Sequence, residues 1–546
     1  MAFGFQMGGR RIDQAQVDAL NNDGKIVIQR CIDCKTLVQP PRPICPNCHS
    51  LDRDWVEASG KGVVYAWVAP VHGVPPWENE ADRPIVVLVD LEEGVRMMSG
   101  LRDVSIHDVR NGMAVEARVN RDPDEGDQKG EVWVTFHPIA EEVKTQPVIR
   151  PDFHEVPASR FQKPKEVLWD RVAISGIGQT EFSKDSGRPV IQLAAEASLA
   201  AIRDAGLTPG DIDGMVTFTG DQNQEITLCD TLGIPEITWE GRAVGGGMAS
   251  TSVVQLAAAA VISGAATNVL IYRAFNERSE QRFGQANPGM MARGARPKAA
   301  RFLNTPAGMY SLWWQRYMHE YGVTNEDFAY YSVVARKHAA TNPNAWFYNR
   351  PITLEDHQSS RWIVEPVIRL LDCCQESDGG VAMIVTSAER ARDAPNPAVK
   401  LISAGQGYAG KNGGGGLGYF EGDLSRFADC RVSGRQAFRD AGMGPDDIDV
   451  AMIYENFTPL VFVTLEELGF CGPGEAKDFI REGNIEIGGK LPVNTHGGLL
   501  GEAYIHGVNN VLEAVRQLRG TAANQVANCE TAMVANGVGT LIFGRS

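Results

Sequence analysis

Four cysteines near the N-terminus carry the most readable chemistry in the chain. Cys31-Ile-Asp-Cys34 and Cys45-Pro-Asn-Cys48 are two C-x2-C pairs separated by ten residues. Two thiolates on one tight knuckle can share an ion, and two knuckles supply a closed tetrahedron of sulfur. All four coordination positions are then protein ligands, which leaves no place for water or substrate. The spacing therefore predicts a structural metal site at Cys31, Cys34, Cys45 and Cys48. Zinc suits it, and iron suits the same sulfur set. An ion held this way supplies much of the folding energy of a small domain. His49, beside the last ligand, reads as a surface residue.

These thiols sit in a chain of 546 residues that is 43% apolar and carries a formal net charge of -16. That length calls for two or three cores. The acidic balance disfavours a general affinity for nucleic acid or an anionic membrane. No run of about 18 apolar residues marks a transmembrane helix. The opening MAFGFQMGGRRIDQ lacks the apolar core of a secretory signal. The other six cysteines (Cys229, Cys373, Cys374, Cys430, Cys471, Cys529) are scattered. Together these features favour metal ligation plus free thiols over disulfides, in a cytoplasmic protein.

The elements that must position the chemistry fall into two textures. Short β-rich runs (GKIVIQRC, GVVYAWVAPV, PIVVLVDL, EVWVTFHPI), broken by turns such as DPDEGDQKG at 122–130, predict a ribbon at about 28–52 and a small barrel, together filling 1–145. A Pro-, Lys- and Glu-rich linker follows at 146–168. From 169 to 546 strands and helices alternate: VAISGIG, then IQLAAEASLAAIRDAG, DGMVTFTG, SVVQLAAAAVISG and NVLIYRAF. Such alternation predicts an α/β domain with a sheet covered on both faces. RQAFRDAGMGPDDIDVAMIYENF (435–457) repeats LAAIRDAGLTPGDIDGMVTFTG (199–220) in the same order, so the domain reads as two related halves. Between the halves, about 276–350 reads as an inserted loop region rich in Arg, Met and aromatics.

The ribbon, then GKGVVYAWVAPVHG and PIVVLVDLEEGVRMMSGL, resemble the family of rubredoxin-like zinc ribbons joined to an OB-fold barrel (domain of unknown function thirty-five). Its members partner thiolase-like enzymes and handle acyl-CoA. YGVTNEDFAYYSVVARKHAATNPNAWF (321–347) and RLLDCCQESDGGVAMIV (369–385) place 169–546 with the thiolase superfamily, nearest its sterol-carrier subgroup. That resemblance implies duplicated αβαβα halves, a homodimer, and a nucleophilic cysteine at the N-terminus of a buried helix. Counting back from Gly264 puts the nucleophile position at Gly247. Glycine has no side chain, so a thioester on this position is excluded. The second thiolase cysteine falls near Met533, with Cys529 out of register.

Two tyrosines stand where a thiolase has an amide and an imidazole. The motif Asn-Glu-Ala-Phe is here Tyr454-Glu455-Asn456-Phe457, and Tyr504 follows N-T-H-G-G-L-L-G-E-A in place of the catalytic histidine. The pattern resembles the thiolase-like aldolases of bacterial steroid side-chain degradation, which work with a ribbon/OB partner, here fused. The resemblance implies retro-aldol cleavage of a bulky β-hydroxyacyl-CoA, after an upstream acyl-CoA hydratase. The products are a ketone or aldehyde plus propionyl-CoA or acetyl-CoA. Tyr454 and Tyr504 are then base and acid in either order, provided their surroundings pull a phenol down from about 10. His496 and His506 orient them. Gly246, Gly247, Met248, Asn494 and Gly537 form the oxyanion and substrate-binding set. The competing readings are an acyltransferase that recruits Cys373, Cys374 or Cys529, and a non-catalytic acyl-CoA or sterol carrier or scaffold.

Overall fold

In the computed structural model the described residues are all but 1–12, 73–82, 122–131, 149–156, 165, 283, 285–302, 304, 410–419, 421 and 546. The turn tract expected at 122–130 therefore lies outside the described residues, as do parts of the expected linker and inserted region. The N-terminal ribbon is a three-stranded antiparallel sheet of β1 (Val27–Cys31), β2 (Leu37–Val38) and β3 (Arg53–Glu57), ordered β2-β1-β3. The two knuckles are built alike. Lys35 N–H donates to Cys31 O (3.1 Å) and His49 N–H to Cys45 O (2.9 Å). Lys35 and His49 both take left-handed backbone, at φ 61° and 62°.

A five-stranded barrel follows: β4 (Lys61–Pro70), β5 (Ile85–Leu91), β6 (Arg96–Leu101), β7 (Ala114–Arg121) and β8 (Val132–Pro138). Its order is β4-β5-β6-β8-β7, with a β4–β7 pairing that closes it. The unbroken apolar run of β5 has a structural cause. Ile85, Val87 and Val89 face the barrel core, while Val86 and Leu88 pack outward into the core of the next domain. A strand with two buried faces loses the polar half of its alternation.

That domain supplies β9 (Val172–Gln179), β10 (Gly214–Phe218), β11 (Trp239–Ala243), β12 (Asn268–Asn276), a hairpin of β13 (Trp362–Glu365) and β14 (Ile368–Arg369), then β15 (Asp378–Ser387), β16 (Val399–Gln406), β17 (Val450–Ile453), β18 (Thr531–Ala535) and β19 (Gly539–Arg545). All but the hairpin form one nine-stranded sheet, β11-β10-β12-β15-β9-β16-β19-β18-β17. The internal repeat is real down to single hydrogen bonds. Each copy runs helix (Val190–Asp204 or Ala428–Ala441), 3-10 turn (Pro209–Asp211 or Pro445–Asp447), strand (β10 or β17). The second Asp of each DID then anchors the neighbouring parallel strand. Asp213 accepts from the N–H groups of Thr267 and Asn268, and Asp449 from those of Glu530 and Thr531, at 2.8–2.9 Å.

The stretch read as an inserted loop region carries two sixteen-residue helices, Pro306–Tyr321 and Asn325–Ala340. Thr324 and Asp327 close a capping box on the second. Trp313, Trp314 and Tyr317 are buried by the first, so its aromatics are core, not loop. No helix among the described residues is long and apolar enough to cross a membrane.

The barrel is joined to this domain through one continuous sheet. The β13–β14 hairpin adds to the barrel edge, with Val364 opposite Pro70 and Glu365 opposite Ala69. Two guanidinium groups pack over the Tyr65 ring, Arg96 at 3.3 Å and Arg316 at 4.3 Å. Gln315 accepts from Trp67 N–H (3.3 Å) and donates to Asn111 (2.9 Å).

Candidate active site

The sheet carries strand β17 into a buried turn, and Tyr454 is its first residue past the strand. Its N–H donates to Ala535 O at 2.8 Å, which continues the pairing with β18. The side chain reaches the helix Ser250–Ser263, whose N-terminus begins with a 3-10 turn, Gly247–Ala249. A Cβ added to Gly247 would lie 2.0 Å from the Tyr454 hydroxyl and 2.2 Å from Cζ. The phenol therefore occupies the space into which a side chain at 247 would project. Around this turn, Asn536 Nδ2 donates to Met248 O (2.9 Å) and Ser250 Oγ (3.0 Å). Gly537, at φ 87°, packs so closely that a Cβ there would meet Phe427 at 2.7 Å and the Met248 methyl at 3.2 Å.

Tyr504 completes the pair. Its hydroxyl is 2.9 Å from that of Tyr454, and its N–H donates to Ser377 Oγ at 3.2 Å. Both rings are buried. Burial pushes both phenols well above their ordinary 10, opposite to the lowering expected from the chemistry. At neutral pH the pair is two neutral phenols sharing one hydrogen bond.

The remaining expected residues divide. His506 stands edge-on to the Tyr504 ring, 5.3 Å between centroids. Its Nδ1 accepts from Arg273 Nε at 3.1 Å, and Arg273 is clamped by Asp221 at 2.6 Å in a fully buried ion pair. Arginine only donates, so the His506 proton sits on Nε2. Burial first, and the Arg273 charge second, hold the imidazole well below its usual pKa. Asn494 goes elsewhere. Its Nδ2 donates to Tyr331 Oη (2.7 Å) and Ile453 O (2.8 Å), and its Oδ1 accepts from Ile453 N–H (2.8 Å). The amide is spent on holding the end of β17 in place of the expected oxyanion contact. His496 is likewise scaffold. It hydrogen-bonds Asn510 at 3.2 Å, its carbonyl accepts from Asn342 at 3.0 Å, and burial lowers its pKa to about 4.

Tyr504 opens onto a cavity of about 380 Å³ at the junction with the barrel, where His72 and Ile363 form part of the wall. Cys373 and Cys374 also line it. Burial raises both thiols well above 9, so neither is a ready thiolate. Cys529 is buried at the start of β18, pushed up to about 12. Lys184 contributes an ammonium lowered by burial to about 8. Sequence reasoning missed Asp221, Arg273 and Lys184, which carry no motif. It also passed over Asn456, whose place in the Tyr-Glu-Asn-Phe motif was a usable signal. Asn456 lines the cavity with its Oδ1 unpartnered.

The metal-site prediction meets a direct geometric test in the ribbon. The four Sγ atoms of Cys31, Cys34, Cys45 and Cys48 lie within 4.8 Å of one another, with two pairs at 3.5 Å. A tetrahedral zinc with Zn–S of about 2.3 Å requires sulfurs about 3.8 Å apart, so the donor set fits.

Comparison with known proteins agrees with both halves. Residues 22–52 match the ChsH2 rubredoxin-like zinc ribbon family, 55–120 the ChsH2 C-terminal OB-fold family and 420–544 the thiolase C-terminal domain-like family. The chain is 54% identical to a steroid side-chain-cleaving aldolase of Thermomonospora curvata, over 69% of this chain and 98% of that protein. It belongs to this aldolase family. A second member, the 17-hydroxy-3-oxo-4-pregnene-20-carboxyl-CoA lyase of Mycobacterium tuberculosis, is 50% identical over 69% of this chain and 99% of its own. The solved Ltp2-ChsH2(DUF35) aldolase is 51% identical with a TM-score of 0.64, covering 70% of this chain and 99% of that one. This family member thus carries ribbon, barrel and thiolase-fold lyase in one polypeptide.

Proposed function

We propose that this chain cleaves a bulky β-hydroxyacyl-CoA of the steroid or bile-acid side-chain type by a retro-aldol reaction. The products are a ketone or aldehyde and propionyl-CoA or acetyl-CoA. The names of the family members support the reaction class. The observation that carries the reading is the 2.9 Å contact between the Tyr454 and Tyr504 hydroxyls, built in the space left by Gly247.

Two neutral phenols suit this chemistry as a relay. The β-hydroxyl proton passes to one phenol while that phenol hands its own proton to the other. The second phenol protonates the α-carbon. As the carbon–carbon bond breaks, its electron pair enters the thioester as an enolate. The net result is one proton moved from hydroxyl to α-carbon, with no phenolate left behind, so the raised pKa values are no obstacle. Tyr504, which lines the cavity, takes the hydroxyl end. His506 orients it from the edge, and the turn Gly246–Met248 presents the positive end of a helix beside Tyr454. The barrel, through His72, shapes the acyl-CoA site.

The zinc acts on stability alone, because its four ligands are all protein sulfur. A homodimer through the β11 edge fits the exposed Val244 and Ile226 beside it. The substrate's hydroxyl implies an upstream hydratase acting on an unsaturated acyl-CoA, in the cytoplasm.

The test is incubation of the full chain with a panel of β-hydroxyacyl-CoA thioesters, followed by mass spectrometry. Propionyl-CoA or acetyl-CoA should form without added free CoA. Fragments that form only when CoA is supplied, with activity lost on thiol alkylation and protected by acyl-CoA, would instead favour a transferase using Cys373, Cys374 or Cys529.

A further inference from the structure

One cavity amide has no part in the relay. Gln375 is 8% exposed and lines the cavity with Tyr504. Its backbone is stitched between the segments that carry both phenols. Cys374 N–H donates to Asn456 O (2.9 Å), Gln375 N–H to Leu499 O (3.1 Å), and Glu376 pairs with Tyr504 itself. The side chain is equally constrained. Oε1 accepts from Lys184 Nζ at 2.9 Å, and the same ammonium is held by the Glu376 carbonyl. An amide tied at its oxygen has its nitrogen at the other corner. That nitrogen, Nε2, is buried and has no hydrogen-bond partner. A donor taken out of water and left unmade is costly, and a ligand that completes it recovers that cost.

We propose that Gln375 is a catalytic residue whose Nε2–H donates to the thioester oxygen of the acyl-CoA, with Lys184 as the positioning residue that holds the oxygen end of the amide. The inference rests on the retro-aldol reading. When the carbon–carbon bond breaks, its electron pair moves through the α-carbon onto the thioester oxygen. That oxygen gains negative charge, and the hydrogen bond from Nε2 strengthens. Gln375 exchanges no proton; the α-carbon is protonated by the phenols. The role is the one expected of Asn494, whose amide is committed to Tyr331 and Ile453. A glutamine suits the site because Lys184 removes the ambiguity between its two ends.

Steady-state cleavage by the full chain tests this. Gln375→Leu should lower kcat about 100- to 1,000-fold, with KM changed by less than about three-fold. Gln375→Glu keeps the size without the donor and should fall at least as far. Lys184→Met should lower kcat roughly 10-fold alone and add nothing in the Gln375→Leu background. A merely structural lysine would not produce that non-additivity. A Gln375→Leu protein that cleaves like wild type overturns the proposal. A second measurement needs no turnover: calorimetric titration with propionyl-CoA and with S-propyl-CoA, the thioether that lacks the carbonyl. Wild type should prefer the thioester and Gln375→Leu should bind both alike; the same preference in both proteins overturns the assignment. If wild type cleaves no β-hydroxyacyl-CoA, the retro-aldol reading fails, and the calorimetric pair alone then decides on Gln375.

Discussion

In the ribbon, two knuckles within Cys31–Cys48 bring four sulfurs within 4.8 Å. The phenol site draws Gly247, Tyr454 and Tyr504 from three distant segments to bring two oxygens to 2.9 Å. The ribbon's polar groups are local and serve stability. Those of the site are assembled by the whole sheet, and burial raises both phenols instead of tuning them toward neutrality. On the proposed function, the stabilising and the reacting polar groups lie in separate regions, so each should be removable without the other.

Stripping the metal gives the largest expected effect. Structural zinc in small domains is worth about 10–16 kcal/mol, so chelation or Cys34→Ser should unfold the ribbon. Hydrogen exchange should show protection lost across β1–β3 while β15 and β9 stay protected. Loss of protection in the central sheet as well would erase the separation of the two regions. The complementary break is Tyr504→Phe or Tyr454→Phe. Each should lower kcat by about 100- to 10,000-fold, with the melting temperature and metal content unchanged. Retained activity in both variants would remove the relay.

Gly247→Ala sharpens the comparison inside the site. The added methyl collides with the Tyr454 hydroxyl, so the ring must move. Overpacking of this kind costs about 1–3 kcal/mol. The melting temperature should drop by several degrees and activity should fall, while Gly246→Ala, whose Cβ has 3.7 Å to His506, should perturb far less.

A pH slope offers a further break. His338 and His496 are both lowered by burial from 6.5 to about 4. Between those values the unfolded chain binds more protons than the folded one, so stability rises with pH. The contribution is full above about 6.5 and is lost as pH falls toward 4. Thermal melting from pH 7 to pH 4 should show the decline, and His496→Gln should flatten it; an unchanged slope in that variant would place the titration elsewhere.

How far these features were legible follows from the same contrast. The cysteine spacing names its own chemistry, because a knuckle is a local object. The internal repeat was equally readable, and its two DID aspartates perform the same anchoring task in both halves. The phenols were legible only against a motif, since nothing in spacing alone brings residues 454 and 504 together. His496 and His506 sit near the same motif yet part company, one braced by Asn510 and the other by Arg273. The direction of each side chain is set by tertiary packing, which periodicity does not encode. The helices at 306–340 were hidden because the stretch was read by its aromatic content, and the caps at Thr305 and Thr324 were passed over.

The collision between Gly247 and Tyr454 also makes the two positions alternatives. Any side chain at 247 and the phenol at 454 claim the same volume, so the centre of this fold has room for one of them and not both. Residue 247 and residue 454 can therefore be exchanged only as a pair.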